Sequence, residues 1–202
     1  EVLPILRELS TTFLYVLTTQ AYAFALDASL SYLPQGVFAV FKYVQQQLVA
    51  KVSGLLLRPV NIVFYSHVAE SLARGSKDVV TLTRRALNLS LAAWVLIVVG
   101  FVVAGKQFIA GLWGSEQFGS AEIRLASQLA LWLFALMLLA AAGQIYRRLA
   151  ISLGFVRLFY VASAVVQLVC AIACMTVVPL FGVGVALAVV ACNLIGLSIV
   201  PM

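Results

Sequence analysis

Apolar residues run through this chain in long blocks, interrupted at short intervals by glycine, proline or clusters of basic residues. The blocks predict six helical spans at about 9–33, 36–73, 79–104, 120–148, 154–178 and 182–202. A run of some 20 apolar residues is what a helix needs to cross a hydrocarbon core about 30 Å thick. Backbone groups in lipid must be satisfied within helices or a closed barrel. These runs lack the alternation of barrel strands. The expected fold is therefore all-α: a polytopic bundle of about six transmembrane helices, with residues 1–202 forming a single bundle.

The second block departs from the rest. It is too long to cross without tilting or bending, and Pro59 offers a kink point with Gly54 as a second soft position. It also carries Lys42, Gln45, Gln46, Gln47, Lys51, Arg58, Asn61 and His67 among apolar neighbours. A cation at bilayer depth costs at least about 2.5 kcal/mol, so such a group needs a water-filled cavity or an anionic partner.

Composition agrees with the membrane reading. The chain is 64% hydrophobic and 10% charged, with a mean hydropathy of +1.10. Soluble domains are about 45–50% apolar and about 25% charged. The first residue is glutamate rather than methionine, which reads as a piece of a longer protein. Basic residues gather in two connections: Arg74, Lys77, Arg84 and Arg85 in one, and Arg147, Arg148 and Arg157 in the other. The remaining connections hold few cations, so the basic loops and both chain ends are expected on the cytoplasmic side. The net charge of +6 is then mainly a topology signal. With no soluble basic face, nucleic acid is not an expected partner. Cys170, Cys174 and Cys192 sit in apolar segments without a histidine or carboxylate nearby in sequence, and read as small buried hydrophobes. No cofactor, metal or catalytic motif is apparent, and no enzymatic activity is expected.

At 100° per residue, Gln47, Lys51, Gly54, Arg58, Asn61 and Tyr65 share one face of the second span. Lys51 and Arg58 are two turns apart, about 10 Å, a spacing that suits a pyrophosphate or other multi-anion headgroup. Arg58 offers a planar fork and Lys51 a mobile point charge. The alternative is snorkelling, or pairing with acids outside this chain. Lys42 projects toward a different side, nearer the outer end. Asp27, at the outer end of span 1, is a candidate ion-coupling carboxylate, a counter-ion for Lys42, or a solvated loop residue. Thr11, Thr12, Thr18, Thr19 and Gln20 give span 1 a polar face fit for helix contact or cavity lining. His67 and Glu70 read as a surface pair. Gly105 to Ser120, with Phe108, Trp113 and Phe118, reads as a re-entrant or interfacial turn. Spans 4 to 6 hold few polar groups, mainly Gln128, Gln144, Ser163, Gln167 and Asn193, and read as scaffold.

Leu33-Pro34-Gln35-Gly36, followed by Tyr43 seven residues after the glycine, resembles the start of the eighth helix in MviN/MurJ-type lipid II flippases. These belong to the multidrug/oligosaccharidyl-lipid/polysaccharide exporter superfamily. Leu112-Trp113-Gly114-Ser115-Glu116-Gln117-Phe118 is similar to that family's loop after its ninth helix. Tyr146-Arg147 resembles the end of the tenth, and Pro179-Leu180-Phe181-Gly182 with Ala186-Leu187-Ala188 the start of the twelfth. The resemblance implies the C-terminal half of a two-bundle transporter of the bacterial inner membrane, whose N-terminal bundle lies outside this chain. The implied substrate is a polyprenyl-pyrophosphate-linked saccharide: lipid II or a related lipid-linked oligosaccharide used in peptidoglycan or polysaccharide biosynthesis. Membrane lipids and the other bundle are the implied partners. Where the family has an arginine three residues after the tyrosine, this chain has Gln46, so Lys42, Lys51 and Arg58 would supply the positive charge. A cation-coupled drug exporter of the same superfamily and a non-transporting membrane scaffold are the alternatives.

Overall fold

The computed structural model describes residues 2–34, 36–73, 79–113 and 119–199. The helices are α1 (Val2–Ser31), α2 (Val37–Tyr43), α3 (Ala50–Ala73), α4 (Val79–Trp113), α5 (Ser120–Ser152), α6 (Val156–Phe181) and α7 (Val183–Ile199). A π-helical segment, Val44–Val49, joins α2 to α3 without a break. No strand occurs among the described residues. Four stretches are long and apolar enough to cross a membrane: Val37–Val68, Val79–Trp113, Ser120–Ser152 and Val156–Phe181. Val183–Ser198 is apolar and shorter. The chain is an all-α polytopic membrane protein. Leu96, Val99, Val102 and Val103 of α4 are all exposed. A water-soluble monomer seldom shows contiguous apolar patches above a few hundred Å², so such a surface fits lipid.

Two expectations need correcting. Span 1 is helical over Val2–Ser31, but among the described residues it is not one of the four stretches long and apolar enough to cross a membrane. Its threonines, Gln20 and Asp27 dilute the apolar residues. The turn expected from Gly105 is also not there, because α4 continues to Trp113. Gly105 serves packing instead: a Cβ at that position would come within 2.5 Å of the Phe101 ring, one turn earlier. Residues 114–118 of the expected turn lie outside the described residues.

The chain divides into two compact units. One comprises residues 1–33 and 143–202, the other 34–142. In the first, α1 lies along α6, α6 packs on α7, and α1 touches α7. Ala25, Leu26, Phe159, Ala164, Cys174 and Ala186 are buried. Close approach depends on missing side chains. A Cβ on Gly196 of α7 would stand 2.6 Å from Val166 of α6, and one on Gly143 of α5 would stand 2.7 Å from the Ser198 hydroxyl. The α5–α6 turn closes through two hydrogen bonds, Phe155 N–H to the Ala150 carbonyl and Gly154 N–H to the Ile151 carbonyl. That pairing needs a left-handed residue, supplied by Gly154 at φ 84°.

In the second unit, α3 packs against α4. Trp94 of α4 is fully buried, with Phe134 of α5 at 6.0 Å between ring centroids. Phe101 meets the same Phe134 ring edge-on at 5.1 Å. Val40, Phe41, Val44, Leu48 and Val49 bury one side of α2 and the π segment.

Candidate functional site

Of the residues singled out on the second span, Lys51 and Arg58 are exposed on α3, and Gln46 and Gln47 are exposed on the π segment. Lys42 is half-buried in the last turn of α2. The side chain of Asn61 lies outside the described residues. Pro59 sits within α3, which remains helical on both sides of it.

The π segment changes the geometry of this group. On a uniform α-helix, the nine residues from Lys42 to Lys51 turn through about 900°, leaving the two on opposite sides. A π turn spans one residue more than an α turn, so it withdraws about 100° of rotation. Lys42 then stands about 80° from Lys51. That is nearer the face of Lys51 and Arg58 than a uniform α-helix would put it, and still a different side, as expected.

Depth matters as much as direction. Val37–Val68 is 32 residues long, and Lys51 falls about 2 Å from its midpoint along the axis, Arg58 about 8 Å. Half of the hydrocarbon core is about 15 Å. If that stretch is centred in the bilayer, an ammonium at Lys51 is too deep to reach the interface along its own stem.

The first unit holds a second polar assembly, built where the sequence suggested scaffold. Gln167 of α6 is 2% exposed. Its Oε1 accepts from the Thr18 hydroxyl at 2.8 Å and the Thr19 hydroxyl at 3.1 Å, both on α1. Each threonine also reaches carbonyls of its own helix: Thr18 those of Leu14 and Tyr15, Thr19 that of Tyr15 at 2.7 Å. The threonine face of α1 is thus a helix contact, while Gln20 on the same helix is exposed. Ser163, Gln167, Cys170 and Cys174 are all buried on α6 and recur at helical spacing, forming one stripe. Tyr22 of α1 stands beside Cys170, Cys174 and Asn193 of α7. The buried Tyr22 hydroxyl and Asn193 Oδ1 make no hydrogen bond of ordinary geometry among the described residues. Asp27, further along α1, is half-buried with one carboxylate oxygen withdrawn from solvent. Cys192 is exposed, contrary to expectation, whereas Cys170 and Cys174 are buried as expected.

Arg147, near the end of α5, sits among three rings. Its guanidinium carbon lies 5.1 Å from the Tyr15 ring centroid, 5.8 Å from Phe159 and 5.9 Å from Tyr160. One guanidinium N–H donates to the Tyr15 hydroxyl at 3.2 Å, and Tyr15 and Tyr160 stack at 4.9 Å. The Gly154 turn separates Arg147 on α5 from Phe159 and Tyr160 at the start of α6. In sequence, Arg147 reads as part of a basic connection and of the Tyr146-Arg147 pair. The sequence signal was an aromatic pair, Phe159-Tyr160, just after a basic turn.

His67 and Glu70 form a 4.0 Å pair with both side chains more than half exposed, at 57% and 53%. This is the surface pair expected. No group of three or more His, Cys, Asp or Glu gathers among the described residues.

No family model matches this chain, and no curated protein or solved structure matches it. The functional reading rests on the residues themselves.

Proposed function

We propose that this chain is half of a membrane transporter that carries an anionic, lipid-linked saccharide across the bacterial inner membrane. The observation that supports it most directly is the exposed pair Lys51 and Arg58, near the middle of a helix otherwise apolar enough to cross a bilayer. Two cations at that depth cost about 5 kcal/mol or more unless they meet water or anions. A polyprenyl pyrophosphate offers two anionic groups, and its prenyl tail stays in lipid.

In this reading Arg58 grips one phosphate with its fork and Lys51 follows the other as a mobile charge. Lys42, swung toward them by the π segment, adds a third cation. Gln46, Gln47 and Asn61 hydrogen-bond the sugar or phosphate oxygens. Rocking of this part of the protein against a second helical bundle exposes the headgroup to each side in turn. Asp27 is the candidate for ion coupling. The basic connections face the cytoplasm, following the positive-inside rule. Lipid II is one substrate of the right chemistry, and another lipid-linked oligosaccharide for polysaccharide synthesis is equally suited.

The test is native mass spectrometry of the full-length protein with a polyprenyl pyrophosphate-linked saccharide, for the wild type and for Lys51→Ala/Arg58→Ala. Losing two phosphate contacts is expected to weaken binding at least 10-fold, while the uncharged polyprenol binds both proteins alike. Equal pyrophosphate binding by wild type and double variant would remove these cations from the mechanism. It would favour a non-transporting scaffold, which tolerates their loss.

A further inference from the structure

Deeper toward the α3–α4 connection, the second unit contains a groove of about 350 Å³. Pro59, Val63 and Phe64 of α3 form one wall, and Leu82 and Leu89 of α4 the other. Apart from His67 and Arg85, every residue lining it is apolar. His67 is six residues before the end of α3, and Arg85 six after the start of α4. In an antiparallel pair both therefore stand about 9 Å from the connection. Val63, Phe64, Leu89 and Pro59 continue the groove away from it. From His67 to Pro59 its α3 wall is about 12 Å long, close to the half-thickness of a hydrocarbon core, about 15 Å.

The groove thus has a charged head and an apolar body that leads toward the bilayer interior. Arg85 and its neighbour Arg84 are exposed, and neither forms an ion pair among the described residues. Among the described residues the acid at that end is Glu70, which stands 4.0 Å from His67 on its own helix. His67 faces that carboxylate, so among the described residues the positive charge left at the head is that of the arginines.

We propose that this groove is a binding site for an anionic phospholipid, with one acyl chain along the α3–α4 wall and the phosphate on Arg85. The charge at the head selects an anionic lipid over a zwitterionic one. Its apolar walls offer a sugar no hydrogen-bond partners and suit an acyl chain. The site uses none of the residues proposed to bind the transported headgroup, so it stands or falls separately from that reading.

The experiment compares lipids retained by the full-length protein in native mass spectrometry, using phosphatidylglycerol and phosphatidylcholine as probes. Three forms are measured: wild type, Arg85→Gln and Ala86→Phe. Circular dichroism and gel filtration confirm that each is folded. The wild type is expected to hold one more phosphatidylglycerol than phosphatidylcholine. Arg85→Gln is expected to weaken that extra binding about fivefold, the worth of one cation near an anionic lipid surface, and to leave phosphatidylcholine binding unchanged. Ala86→Phe fills the groove and should abolish the extra lipid even though Arg85 remains. Retention of phosphatidylglycerol unchanged in both variants would overturn the proposal in favour of non-specific surface lipid. So would an absence of any lipid preference in the wild type, the result expected if another helix of the protein covers the groove. Arg85→Gln removes only an exposed charge, which keeps the test decisive should Ala86→Phe fail to fold.

Discussion

Replacing Gln167 by leucine removes the amide that bridges α1 and α6 while nearly keeping its volume. Two interhelical hydrogen bonds disappear, those from Thr18 and Thr19. Neither threonine is left stranded, because each hydroxyl also reaches a carbonyl of its own helix, at 3.0 Å for Thr18 and 2.7 Å for Thr19. A hydroxyl has a single proton, so these bonds already compete with the bridge. Hydrogen bonds between membrane helices average about 0.6 kcal/mol, which puts the cost of Gln167→Leu near 1 kcal/mol. The reverse cut is more severe. Thr18→Val/Thr19→Val leaves a buried amide, 2% exposed, with no partner on α1, and a stranded buried polar group costs about 1–3 kcal/mol. Unfolding in mixed micelles, followed by tryptophan fluorescence and circular dichroism, yields both values. The triple variant closes the double-mutant cycle and isolates the coupling. The threonine double variant should be the less stable. A larger loss for Gln167→Leu, or no coupling between the sites, would sink the claim that this bridge fastens α1 to α6.

Two other substitutions probe the same unit. Arg147→Gln empties the ring cluster of Tyr15, Phe159 and Tyr160 of its cation and should cost about 1–2 kcal/mol in the same assay; Tyr15→Phe keeps the ring, loses only the 3.2 Å hydrogen bond, and should cost less than half as much. Equal costs would assign the stability to the hydrogen bond rather than to the rings. Gly196→Ala forces a methyl to 2.6 Å from the branched side chain of Val166, which has little rotamer freedom to yield. A loss of about 1–3 kcal/mol is expected, whereas Gly184→Ala, with nothing within 4 Å, should be neutral or mildly stabilising. Matching effects at the two glycines would contradict close packing of α6 on α7.

The helical, membrane-spanning character was legible because hydropathy integrates over 20 residues, and no local detail can reverse it. Details that depend on one residue were not. The π segment carries no composition of its own: Gln45-Gln46-Gln47 reads as ordinary helix, yet it turns Lys42 toward Lys51. Gly105 looked like a turn because glycine is ambiguous until its neighbour is known, and the neighbour is a ring that fills the missing Cβ. The positions of Lys51 and Arg58 on α3 could be read off the helical period. The Arg147 cluster could not, since Tyr15 lies 132 residues away. Gln167 was visible as a lone amide in an apolar run. What hid its role was the distant threonine pair that answers it.

That separation bears on how the protein is made. Thr18 and Gln167 are 149 residues apart in the chain. At synthesis rates of about 5–20 residues per second, α6 emerges on the order of 10 s after α1. Throughout that interval the Thr18 and Thr19 hydroxyls have only the carbonyls of their own helix to bond. The bridge that fastens α1 to α6 is therefore a late contact, formed only once the helix that completes it has been translated. Truncation before α6 is expected to leave α1 without the helix it packs on, even though every residue of α1 is present.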